Sequence, residues 1–182
     1  MKEMPKTIKY SLFLVVLGII AGVLLAFVNS ITAPIIDARK EEELKEVLEE
    51  YFECDKFSDE TTNYSLDKGI EKIYFGYIGN NLTMVIYQAS TNGYAGPVVS
   101  LVGINIADDK LVDIKVASAD KETSGIGSKV IGHDFNITGE SINDYSFDII
   151  SGATVSSNAV KNNLVIAINH YTDNKALFEK AS

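Results

Sequence analysis

From Tyr10 to Ile36 the sequence carries no charged residue. Its densest part, Leu12 to Val28, reads LFLVVLGIIAGVLLAFV. A helix needs roughly 20 apolar residues to cross the hydrocarbon core of a membrane, and this stretch is long enough. Gly18 and Gly22 are tolerated in such a helix and frame a small-xxx-small pattern suited to contact with a second helix. A cleaved signal peptide is the rival reading. Its apolar region is typically about 7–15 residues and ends in a small-x-small site. Here the run is longer, and the nearest candidate site, Ile31 to Ala33, begins with a bulky residue. The segment therefore reads as an uncleaved anchor.

The charges flanking that anchor suggest its direction. Lys2, Lys6, Lys9 and the free amine precede it, against Glu3 alone. Asp37, Arg39 and Lys40 follow, then Glu41, Glu42 and Glu43. The positive-inside rule places the N-terminus in the cytoplasm and everything after Ile36 outside, as a single-pass protein of the cell membrane.

Three segments are expected: a cytoplasmic N-terminus and anchor over 1–36, a linking helix and loop over 37–68, and a folded domain over 69–182. In residues 37–52, Leu44, Val47, Leu48, Tyr51 and Phe52 share one helical face, with acids opposite, so the helix should pack on the domain. The polar stretch from Cys54 to Lys68 reads as a loop. Beyond it the period changes. Lys72–Ile78, Leu82–Ala89, Val98–Ile106 and Leu111–Val116 are short runs rich in Ile, Val and Tyr. Gly79 to Asn81 and Ala107 to Lys110 separate them like hairpin turns. Phe147–Ile150 reads as a later strand. Val155, Ala159, Val160, Leu164, Ala167, Ile168 and Tyr171 form an apolar stripe at helical spacing. The expected fold class is α+β: one transmembrane helix, then an antiparallel sheet with flanking helices.

Composition narrows the function. Hydrophobic residues at 46% and charged residues at 23% are those of a folded chain. A net charge of −9 without clustered Lys or Arg excludes a general nucleic-acid binder. The lone Cys54 excludes an internal disulfide, a Cys-rich zinc site and an iron–sulfur cluster. His133 and His170 lie far apart, without metal-ligand spacing, so no metal site is expected and both read as surface or structural residues.

The chemistry concentrates at the start of the last helix. Ser151 to Asn158 reads SGATVSSN, between the expected strand and the helical stripe. Gly152 allows a tight turn, and Thr154, Ser156 and Ser157 offer hydroxyls. The first amides of a helix are unpaired and carry partial positive charge, which suits a phosphate. A plain N-cap explains Ser and Thr there equally well. Two other stretches stand out: Glu122 to Gly127, reading ETSGIG and followed by Lys129, and Gly93 to Pro97, reading GYAGP. The first alone reads as a glycine turn.

Asp148 to Thr154, DIISGAT, resembles the Asp-x-x-[Ser/Thr]-Gly-Ala-Thr motif of the FMN-binding domain found in RnfG and NqrC. At average residue frequencies such a match arises by chance on the order of once per thousand chains or more. ETSGIG is similar to the family's Glu-Thr-Pro-Gly-Leu-Gly segment, with Ser124 in place of Pro and Ile126 in place of Leu. GYAGP is similar to its Gly-Tyr-x-Gly-Pro segment. The resemblance spans about Gly93 to Tyr171. It implies FMN joined by a phosphoester to Thr154, with attachment made by a separate flavin transferase. Ser151, Gly152, Ala153, Ser156 and Ser157 would support the phosphate. Glu122, Thr123, Gly125 and Gly127 would border the flavin. Asp148 would help the transferase recognise the site or orient the Thr hydroxyl. Tyr94 has two places open to it, beside the flavin or in the core, and as a routine core residue it is expected in the core.

The resemblance also implies a setting. The short soluble part is closer to RnfG, which belongs to a membrane complex passing electrons between ferredoxin and NAD with ion transport. Such a chain is a redox subunit of a translocase. It is not catalytic alone, has no catalytic residue of its own, and depends on other integral membrane subunits. A stand-alone extracytoplasmic flavoprotein and a cofactor-free anchored binding module are the alternatives.

Overall fold

The computed structural model describes residues 6–181. Lys2 and Glu3, which enter the orientation argument, lie outside the described residues. The chain forms two compact units, Met1–Glu46 and Val47–Ser182. The first is built from helix α1 (Lys6–Tyr51), whose last turn belongs to the second unit. The candidate membrane span, Ile8–Ile36, contains an 18-residue window with a mean hydropathy of 2.9, none of which is buried within the protein. So much unpartnered apolar side-chain surface suits hydrocarbon rather than water. Pro34 lies inside the helix and has no amide to give. Nearby, the Ser30 and Thr32 hydroxyls bond back to the carbonyls of Phe27 and Val28. The helix continues beyond the apolar run because Ala, Arg, Lys, Glu and Leu, which dominate residues 38–50, are strong helix formers.

The second unit is an antiparallel meander of five strands, in the order β1 (Lys56–Asp59), β2 (Ile70–Ile78), β3 (Asn81–Asn92), β4 (Pro97–Asn105) and β5 (Lys110–Ser118). Four strands lie where alternation predicts them. β1 is a correction: with a short 3-10 turn at Thr61–Asn63 it occupies part of the stretch read as a loop. Only four residues long and polar, KFSD carries no alternation to reveal it. It is an edge strand, defined by its pairing with Tyr74–Tyr77.

Register fixes which side chains share a face. Phe75, Val85 and Ile104 are neighbours across three strands, as are Ile73, Tyr87 and Val102. These join the core beneath helix α2 (Thr154–Ala181), which lies against β3 and β4. Tyr74, Ile86 and Gly103 line up on the opposite face, where the Phe52 ring packs over Gly103. Leu48 and Phe52 are buried as expected, but Tyr51 stays 39% exposed, its ring 4.8 Å from the Lys115 ammonium.

Residues 131–153 are irregular apart from isolated bridges at Ser141, and the strand expected at Phe147–Ile150 is absent. Its side chains pack, with Phe147 stacked on Phe135 at 4.7 Å, but its backbone joins no ladder. The edge of β5 is met instead by residues 139–141, through Gly139 N–H to the Leu111 carbonyl and Leu111 N–H to the Glu140 carbonyl. His170 is buried, with Nε2 2.8 Å from the Ser65 carbonyl and Nδ1 3.3 Å from the Tyr87 hydroxyl, so it ties α2 to the loop before β2.

Candidate functional site

The first turns of α2 are pinned to one end of the sheet. Thr91 on β3 donates its hydroxyl to the Ala159 carbonyl at 2.8 Å. Asn163 donates to the Val98 carbonyl and to the Ser100 hydroxyl, both at 2.9 Å. From that end project the β3–β4 loop, carrying Gly93 to Gly96, and, after β5, the segment that carries Glu122. Gly93 N–H closes the loop onto the Gly96 carbonyl at 2.8 Å. Gly152, at φ +83°, turns the chain into α2 through a conformation that favours glycine.

These three segments enclose a cavity of about 360 Å³, lined by Tyr94, Glu122, Thr123, Ile126, Gly127 and residues 152–156. That volume lies in the range of small-molecule sites. Seven of the residues expected from the sequence line it: Glu122, Thr123, Gly127, Gly152, Ala153, Thr154 and Ser156. Ser151, Gly125, Ser157 and Asp148 do not. Ser157 is fully buried, and its hydroxyl accepts the Ile150 amide at 3.2 Å. Gly125 donates its amide to the Ser128 hydroxyl at 3.0 Å. Asp148 accepts the Asn136 side-chain amide at 2.8 Å, which pins the start of the motif to the 132–137 loop.

Two expectations change. Tyr94 is not a core residue: it is 76% exposed, on the cavity rim. Val155 does not join the buried stripe of α2 but is half exposed in the same cavity, one turn short of where the helix meets the sheet. With Ile126, which motif comparison alone left without a role, they give the cavity an apolar side. A loop Tyr between two glycines and a Val at the second helical position carry no sequence signal that distinguishes rim from core.

The helix start shows which residue occupies the cap position. The Ala153 carbonyl accepts the first helical bond, from the Ser157 amide at 2.9 Å. Ala153 is therefore the N-cap and Thr154 the first helical residue. Alanine is among the poorest caps. Among the described residues none offers an acceptor to the amides of Thr154, Val155 or Ser156. The Ser156 hydroxyl is buried and donates to Glu122. Thr154 is exposed, and its hydroxyl is engaged by no described residue.

Glu122, 7% exposed, is the one carboxylate among the described residues on the cavity wall. It accepts the Ala95 amide at 2.9 Å and the Ser156 hydroxyl. Burial pushes its carboxyl up, but the Ser156 hydroxyl and the amides of Ala95, Gly96 and Tyr94 outweigh this and hold it below the ordinary value. A Cβ on Gly93 would stand 2.5 Å from Glu122 Oε1, and one on Gly127 would press into Oε2 and come 3.0 Å from Ser156 Oγ. At both positions the carboxylate fills the space a side chain would need, joined at Gly93 by Val98 Cγ2 at 2.9 Å.

Known proteins match both parts of the chain. The FMN-binding domain family matches residues 93–169, from the β3–β4 loop through most of α2. The RnfG N-terminal region matches residues 1–50. The G component of the ion-translocating oxidoreductase complex of Haemophilus influenzae (strain PittEE) is 27% identical, over 97% of this chain and 95% of its own length. The protein of the same name from Cereibacter sphaeroides is 29% identical, over 82% and 77%.

Proposed function

Because the chain belongs to the RnfG family of FMN-binding domain proteins, we propose that it is an electron-transfer component of a membrane ion-translocating oxidoreductase complex of the ferredoxin–NAD type, with FMN joined by a phosphoester to Thr154. The observation that carries this reading is the contrast among the three hydroxyls at the start of α2. Those of Ser156 and Ser157 are buried and hydrogen-bonded, whereas that of Thr154 is exposed on the cavity wall and engaged by no described residue. A separate flavin transferase reaches only the last of them.

The residues present fit the group. A phosphodiester on Thr154 would be held by the amides at the start of α2, which no described residue caps, at the positive end of the helix. Tyr94, Ile126 and Val155 offer apolar contact to a planar ring. When bound, the isoalloxazine supplies the redox chemistry, taking electrons singly or in pairs. The chain's own part is to hold and orient it. The covalent bond keeps the cofactor at high effective concentration on a surface where free FMN is lost by dilution. In this reading the N-terminus is cytoplasmic and the domain extracytoplasmic, and electrons arrive and leave through neighbouring membrane subunits.

The test is ultraviolet fluorescence of the denatured chain on a gel, after expression with a flavin transferase. A fluorescent band is expected, and its loss in Thr154→Ala. A dark wild-type band would sink the covalent assignment. A band surviving in Thr154→Ala would move it to another hydroxyl.

A further inference from the structure

Gly93–Pro97, Glu122–Gly127 and Ser151–Asn158 are far apart in sequence. In the structure one carboxylate joins them. Glu122 Oε1 takes the Ala95 amide, and Oε2 takes the hydroxyl of Ser156 in the first turn of α2. The glycines at 93 and 127 are the positions at which a side chain would displace that carboxylate. The loop has few other ties at its tip. Its internal bond runs from Gly93 to Gly96, and beneath Gly96 lies the stem of Lys121, which a Cβ there would strike at 2.6 Å. Tyr94 sits between, largely exposed, on the cavity rim.

We propose that Glu122 is a positioning residue: by bridging the Ala95 amide to the Ser156 hydroxyl, it holds Tyr94 in place as a wall of the flavin cavity. The exposed ring has no buried neighbourhood of its own to fix it, so the loop's attachment to α2 sets its position. The attachment is a buried, charge-assisted pair of hydrogen bonds, the kind that loses most when one partner is removed. Glutamine keeps an acceptor for Ala95 and gives Ser156 a donor instead, so it preserves the bridge. Alanine removes it. The tie to Ala95 stands on geometry alone. The consequence for flavin rests on the function proposed above.

Two readouts on the full chain in detergent separate these parts. The first is amide hydrogen exchange in the Thr154→Ala background, where no flavin at that position contributes. Adding Glu122→Ala should speed exchange at Ala95 about tenfold or more while the amides of β3 and β4 keep their protection, and Glu122→Gln should restore slow exchange. Unchanged exchange at Ala95, or equal acceleration across the sheet, overturns the positioning role. The second is flavin fluorescence of the native flavinylated protein. A Tyr ring against the isoalloxazine quenches it, so Tyr94→Leu and Glu122→Ala should each raise the yield, and the double variant should rise no further than either. Additive increases would mean that Glu122 acts other than through Tyr94, and would overturn the proposal. If the wild-type chain takes up no flavin, the covalent-FMN reading fails and the exchange result alone judges the tie.

Discussion

Replacing Gly127 by alanine probes the site through a single methyl group. Gly127 does not occupy the left-handed region, so alanine meets no backbone penalty there. The penalty is steric. The new Cβ would overlap Glu122 Oε2 and lie 3.0 Å from Ser156 Oγ and 3.1 Å from Glu122 Cβ. The carboxylate is the movable neighbour, and moving Oε2 away gives up its bond to Ser156. Overpacking a tight site costs about 1–3 kcal/mol, and losing one hydrogen bond to a charged acceptor costs about 1.5–3 kcal/mol. The two are alternatives, since the site yields by whichever route is easier, so the expected destabilisation is about 2 kcal/mol. The assay is urea unfolding of the full chain in detergent. With no Trp in the chain, unfolding is followed by the fluorescence of its tyrosines, of which Tyr87 and Tyr171 are fully buried. In a Glu122→Ala background the carboxylate is gone, and Gly127→Ala should then cost less than about 1 kcal/mol, a coupling typical of residues in contact. Equal cost in both backgrounds would refute the claim that the carboxylate is what demands glycine.

Other consequences follow from the same geometry. Asp109 accepts the hydroxyl of fully buried Tyr171 at 2.9 Å and pairs with Lys175 at 2.5 Å. Asp109→Ala should cost about 2 kcal/mol in urea unfolding, chiefly by stranding that hydroxyl. Asp109→Asn should cost less than half as much, since Asn keeps an acceptor and tolerates the φ of 55°. Glu122 has a folded-state pKa below its ordinary 4.5. Its ionised form therefore adds stability that is complete above about pH 4.5 and lost as pH falls through the folded value. Protection of the Ala95 amide, corrected for intrinsic exchange, should be flat from pH 7 to 5 and drop below 4.5, with no such step in Glu122→Gln. Burial raises the Cys54 thiol pKa, outweighing the hydrogen bond with Thr83, so the thiol should react with a disulfide reagent at pH 8 more slowly than free cysteine.

What the residues disclose before folding is uneven, for physical reasons. The long apolar helix is legible because length and lack of charge are its whole signal. Four strands and α2 are legible because one-sided burial leaves a period in the sequence. β1 leaves none: KFSD is half-exposed edge, and its pairing is long-range. Phe147–Ile150 misleads in the other direction, since its apolar side chains pack without a ladder. At the site, DIISGAT and its two companion motifs name the three segments that line the cavity. They do not tell that Ala153 rather than Thr154 caps the helix, that Tyr94 stands on the rim, or that Glu122 bridges the segments. Each of those depends on where three distant loops meet.

The most direct measurement is the intact mass of the chain produced with and without a flavin transferase, followed by peptide mapping. The account predicts an increment of one FMN less one water, present only with the transferase, carried on Thr154 and absent from Thr154→Ala. An unmodified mass in the presence of active transferase, or the same increment persisting in Thr154→Ala, would contradict it.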